Sequence, residues 1–159
     1  MYSRIFILFI LINLFLTSLK INAQQFYNSN GNYIGEVSYT NTINMKCGNC
    51  GAIYDKIGNK IGEASPIGGY REFTNNNGKT IGSWSLYDRQ VYNQNRSLLG
   101  YEKNDKIFNS QNKQIGFVKL KDQEWIFYSL TGRKLMSAKV RTQHDMDVSL
   151  AYFLIFIYN

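Results

Sequence analysis

A ten-residue unit recurs six times between Phe26 and Met136, and nothing else in this sequence constrains the fold as tightly. The six copies occupy residues 26–35, 53–62, 73–82, 91–100, 107–116 and 127–136. Each opens on an apolar residue: Phe26, Ile53, Phe73, Val91, Ile107 and Phe127. The second residue is aromatic in five units and Thr74 in the third. The third residue is Asn28, Asp55, Asn75, Asn93, Asn109 or Ser129. The sixth is glycine at Gly31, Gly58, Gly78 and Gly132, with Arg96 and Asn112 in the other two. The ninth is Ile34, Ile61, Ile81, Leu99, Ile115 or Leu135. It is followed by Gly35, Gly62, Gly82, Gly100 and Gly116 in five units and by Met136 in the last.

The pattern is that of a β-hairpin. Apolar and aromatic residues suit a pleated, half-buried strand. An Asn, Asp or Ser followed by a residue tolerant of positive φ supplies the side-chain bonds and the chirality of a tight turn. Arg96 departs from that rule, and a slightly longer loop or a strained turn is expected there. A strand glycine after Ile has two readings, a bulge or a close approach of neighbouring backbone. Six hairpins predict about twelve short strands. No long segment of helical periodicity lies between Gln24 and Val140, so the expected class is all-β. A hairpin cannot bury its own apolar face, so the units must stack, radiate about an axis or close into a barrel.

The ends of the chain are apolar. Met1-Tyr2-Ser3-Arg4, the run Ile5–Leu16 and the small residue Ala23 have the parts of a secretory signal covering residues 1–23. A retained anchor is the alternative, although the run is short for a membrane-spanning helix. The expectation is export, to a periplasmic, outer-surface or extracellular location, after cleavage near Ala23. The repeat domain is expected over residues 24–147. The net charge of +7 falls to +5 when Arg4 and Lys20 leave with the signal. The last stretch, residues 148–159, is apolar without polar alternation, and reads as a core segment of the same domain covered by the inner faces of the hairpins. The alternative is a tail that contacts a membrane. An apolar content of 44% excludes a disordered chain, and the single proline excludes a proline-rich one.

With Asn77-Gly78-Lys79-Thr80-Ile81-Gly82 as its clearest copy, and with its phenylalanine-rich end, the chain resembles the secreted bacterial five-fold β-flower proteins. That resemblance implies export and a radial or closed array of hairpins around the apolar C-terminus. It implies no catalytic residues. The family name suggests five units, where six are counted, and the 27-residue spacing from Phe26 to Ile53 carries an insertion. A second, weaker likeness is to tubby- or scramblase-like barrels built around an apolar C-terminal helix, which implies a membrane-linked role.

Chemistry-bearing residues are sparse. Cys47-Gly48-Asn49-Cys50 sits in the insertion. In an exported chain the pair reads as a small-loop disulfide or a free structural pair. A redox dithiol is the alternative, though no helix is expected to follow. A zinc site would need two further ligands, and the chain has one histidine, His144. His144-Asp145-Met146-Asp147 reads as a solvated linker. No serine is marked as a triad partner for His144, and no Gly-x-Ser-x-Gly or HExxH motif is present. Asp122 and Glu124 read as one face of a solvent-facing strand. Asn95-Arg96-Ser97 matches a glycosylation sequon at a hairpin tip. Scattered basic residues indicate solubility and attraction to anionic surfaces rather than nucleic-acid reading. Tyrosines at the second positions either form a sugar-stacking surface or pack on each other across strands. The expected function is an exported, non-catalytic structural or binding module without cofactor, its partner a glycan, an envelope protein or a membrane surface. The alternatives are membrane association through the C-terminus and thiol-redox chemistry at Cys47 and Cys50.

Overall fold

The computed structural model describes residues 22–39, 50–140 and 145–158. Twelve strands succeed one another: β1 (Asn22–Asn28), β2 (Tyr33–Tyr39), β3 (Gly51–Asp55), β4 (Lys60–Ile67), β5 (Tyr70–Asn75) and β6 (Thr80–Ser85). They continue with β7 (Gln90–Asn93), β8 (Leu98–Lys103), β9 (Lys106–Asn109), β10 (Gln114–Lys121), β11 (Glu124–Ser129) and β12 (Lys134–Lys139). Each pairs with the next, and β1 pairs antiparallel with β12, so the sheet closes into an all-β barrel. A helix, α1 (Asp145–Tyr152), follows and runs on as a π-helical turn, Phe153–Ile157.

Each ten-residue unit forms one hairpin, and all six tips are built alike. The amide of the sixth residue donates to the carbonyl of the third at 2.9–3.1 Å. The third side chain accepts the seventh amide in every unit and the fifth amide in the first five. The sixth residue has φ between +58° and +84° throughout, which favours glycine. Of the two outcomes expected at Arg96, the strained turn is the one found. The loop has the common length and Arg96 takes φ +61°.

Both readings of the strand glycines hold. Phe26 faces Gly35 and Tyr27 faces Tyr33, leaving Ile34 as the extra residue of a bulge. The same shift recurs at Ile61, Ile81, Leu99, Ile115 and Leu135. A methyl group added at Gly62, Gly100 or Gly116 would overlap the carbonyl oxygen of Thr74, Phe108 or Tyr128, the second residue of the next unit. Between units the register is also constant: Gly35 faces Asp55, Gly62 faces Asn75, Gly82 faces Asn93, and Met136 closes the ring opposite Asn28.

The inward side chains are the first residues of all six units together with Val37, Ala64, Trp84, Val118, Met136 and Ala138. The C-terminal segment fills the space they enclose. Tyr152 stacks on Phe26 of β1 at 3.9 Å between ring centroids, and Phe153 stacks on Phe127 of β11 at 5.1 Å. Leu154 lies against Gly100 of β8, and Ile155 against Gly82 of β6. Contacts with β1, β6, β8 and β11 place the helix inside the barrel. Buried Gln24 on β1 donates through Nε2 to Ser149 Oγ at 2.7 Å, fixing the helix axially.

Several boundaries differ from the expectations. The helix begins at Asp145, ahead of the apolar segment, so Asp145–Asp147 form its first turn instead of a linker, as suits acids at a helix N-terminus. The expected cut near Ala23 falls within β1, where Ala23 pairs with Ser38; residues 1–21 lie outside the described residues. Asp122 is a turn residue with φ +49°, and β11 starts only at Glu124, so the two acids do not share a strand face. No helix among the described residues is long and apolar enough to cross a membrane.

Two substitutions test this geometry in opposite directions. Gly62→Ala forces a methyl onto a backbone carbonyl and is expected to destabilise by about 2–3 kcal/mol. Arg96→Gly relieves a left-handed residue and is expected to stabilise by about 1 kcal/mol. Denaturant unfolding of the two variants beside the wild type measures both.

Candidate functional site

The barrel interior is occupied by the chain's own helix, so any ligand must meet the outer wall or the ends. On the wall, the pairing of β5, β6 and β7 brings Glu72, Ser83 and Tyr92 into one row. They line a pocket of about 180 Å³ with Tyr70 and with Arg96 from the fourth tip. Ser83 is the small residue that leaves the pocket open.

The Tyr92 ring is fixed from outside the pocket. Its hydroxyl donates to Asp88 Oδ2 at 2.5 Å and lies 3.1 Å from Gln90 Oε1. The hydrogen bond to Asp88, with partial burial, pushes the Tyr92 hydroxyl up to about 12. At Asp88 desolvation works the other way, but it is outweighed by hydrogen bonds from Tyr92, Ser85 and the Gln90 amide, which hold the carboxyl below its ordinary value. Tyr92 therefore stays neutral at physiological pH, its hydroxyl anchored to Asp88.

The second surface is the end of the barrel that carries the six tips. The tips there carry Lys56, Lys79, Arg96, Lys113 and Arg133 and one acid, Asp55, whose carboxylate caps the second tip. Ile57 and Leu130 on the same tips are 74% and 56% exposed. The C-terminus emerges at this end, with Tyr158 beside Ser110 and Gln111 of the fifth tip, and Ile157 and Tyr158 are 43% and 49% exposed. At the opposite end, the described connections carry Asp88, Asp105 and Asp122 and the base Arg89, which pairs with Asp147 at 3.8 Å, and Lys103, Lys106, Lys121 and Lys139 flank them at the strand ends.

Of the residues singled out in the sequence, Cys50 precedes β3 and is disulfide-bonded, with the Ser65 hydroxyl 3.3 Å from its sulfur. Cys47 and His144 lie outside the described residues. No group of three or more His, Cys, Asp or Glu side chains that could hold a metal comes together among the described residues. The Gly31, Gly58, Gly78 and Gly132 positions shape the tips, and the Ile-Gly pairs shape the bulges. Glu72 and Ser83 went unrecognised as site residues. The repeat offered no signal for them, since the position of Ser83 varies among Glu36, Glu63, Tyr101, Phe117 and Ser137 in the other units.

No family model matches the chain, and no curated protein matches it. Among solved structures it is similar to a protein from Arabidopsis thaliana known by X-ray crystallography. The match is 13% identical, covers 87% of this chain and 94% of that one, and has a TM-score of 0.49. A likeness at that level carries no argument about function.

The Tyr92–Asp88 contact has a pH signature. A tyrosine whose folded pKa is raised stabilises the fold below its unfolded value near 10. That contribution is lost as pH rises towards the folded value of about 12. Asp88→Asn removes the charge and is expected to bring the Tyr92 titration back towards 10, read by ultraviolet difference titration against Tyr92→Phe.

Proposed function

We propose that the protein is an exported, non-catalytic binding module that docks on an anionic surface of the cell envelope with its tip end. The observation that carries this reading is the excess of base on the tips. Five bases lie on the six tips against one acid, Asp55. Such an excess favours this end in the field of a negative surface. Each base close to an anionic membrane contributes about 1 kcal/mol. Ile57, Leu130, Ile157 and Tyr158 then offer apolar contacts at the same end.

This reading narrows the membrane alternative. Val148, Leu150 and the run from Ala151 to Leu154 are buried in the barrel, and this reading assigns them to the core. The last exposed residues of the C-terminus instead join the docking face. A barrel around a C-terminal helix is also what the tubby- and scramblase-like resemblance implies, and that resemblance itself points to membranes.

Sedimentation with phosphatidylglycerol vesicles tests the proposal. Binding is expected to weaken with added salt, because exposed charges are screened over about 10 Å at 0.1 M. Replacing Lys79, Lys113 and Arg133 by Gln is expected to reduce it by about 100-fold, from three contributions of the size given above. Equal binding to neutral phosphatidylcholine vesicles, or no loss in the triple variant, would refute the proposal.

A further inference from the structure

Around the outside of the barrel, each unit sets the same three positions side by side. They are the residue before its first, the residue after its tenth, and the second residue of the next unit. In the fourth unit this row is Gln90–Tyr101–Phe108, and Tyr101 stacks on Phe108 at 5.1 Å. In the fifth it contains Phe117 and Tyr128, stacked at 5.0 Å. In the third it is Glu72–Ser83–Tyr92. The middle position holds a ring in the fourth and fifth units, a carboxylate in the first and second (Glu36 and Glu63) and a serine in the third and sixth (Ser83 and Ser137). Tyr92 stacks on no ring among the described residues, and the wall pocket of about 180 Å³ is lined by its row together with Tyr70 and Arg96.

Three further features mark the pocket as built for occupancy. The Tyr92 ring is held by Asp88 and Gln90, so a ligand meets a fixed platform and loses little entropy to ordering it. Glu72 and Arg96 line the same pocket and neither forms an ion pair among the described residues; Glu72 Oε2 accepts from Thr80 Oγ1 at 3.5 Å, which leaves its other oxygen and the guanidinium to meet a ligand. Arg96 also holds a left-handed conformation that glycine occupies in four sibling units. Non-glycine residues kept in such conformations cluster at ligand contacts.

We propose that this pocket binds one neutral pyranose unit of a glycan. The apolar face of the sugar ring lies on Tyr92, and its hydroxyls hydrogen-bond to Glu72, Ser83 and Arg96. One acid and one base make the pocket formally neutral, which suits an uncharged ligand. Both groups present paired hydrogen-bonding atoms that match vicinal hydroxyls. The site stands on the wall and does not depend on the docking role of the tips.

Saturation-transfer NMR on the intact protein, with the methyl glycosides of glucose, galactose, mannose and N-acetylglucosamine, tests the proposal. At least one glycoside is expected to receive saturation, with a Kd on the order of 1 mM for a single unit (about −4 kcal/mol). Ser83→Phe introduces the ring that the fourth and fifth units carry, and is expected to weaken binding at least tenfold without lowering the melting temperature. Arg96→Gly is expected to weaken binding while raising the melting temperature. The Lys79, Lys113 and Arg133 triple variant should bind as the wild type does, separating this site from vesicle docking. The proposal is overturned if no glycoside receives saturation, if Ser83→Phe binds normally, or if free tryptophan binds where the glycosides do not.

Discussion

A barrel of twelve strands cannot be filled by its own inward side chains. Eight strands enclose a space that side chains just fill, and the diameter grows roughly in proportion to strand number. The extra width here is taken by a helix, whose diameter with side chains is about 10–12 Å. The segment from Asp145 to Ile157 meets strands on several sides, stacking Tyr152 on Phe26 and Phe153 on Phe127. Without it the first residues of the six units would face a void or water. The helix and the hairpins are thus mutually dependent, and the inner wall is constrained to small or apolar residues where the helix passes, with Gln24 and its bond to Ser149 as the polar exception.

Constancy of register carries that constraint around the ring. In every unit the ninth residue bulges and the tenth turns back to face the first. Glycine at the tenth position serves two packing demands together. It admits the carbonyl of the next unit, and at Gly35, Gly82 and Gly100 it leaves room for Tyr152, Ile155 and Leu154 of the central segment. Met136 is the exception, at the unit that closes on β1, and it is fully buried with Asn28 as its strand partner.

The hairpins, their tips and their number were legible because each is a local consequence of residue type. Asn at the third position and glycine at the sixth dictate a turn whatever surrounds them. The state of the C-terminus was not legible. Phe153-Leu154-Ile155-Phe156-Ile157 has the aromatic and β-branched composition of a strand. Closure of the barrel decides against that, since β1 pairs with β12 and no sheet edge remains inside to bond an extended segment. A buried backbone must then satisfy its own donors and acceptors, which a helix does. The preference is set by topology and cannot be read from the segment alone. The helix start at Asp145 and the beginning of β1 at Asn22 were missed for a related reason: both depend on partners distant in sequence.

The same logic locates the candidate sites. Inward positions answer to the helix, the tenth position to the neighbouring carbonyl, and the third and sixth to the turn. Only the outward wall positions and the remaining tip residues are free of these demands. That is where the six units diverge: Ser83 against Tyr101 and Phe117, Thr74 against five aromatic residues, and bases spread over five tips. Arg96 is the instructive case, because it breaks a rule the turn does impose and takes a conformation costing about 1 kcal/mol. Its side chain lines the wall pocket, a contact that glycine at this position could not make. In a repeat protein whose units share one scaffold, a residue that opposes the scaffold's preference and also faces a pocket is the strongest local sign of binding.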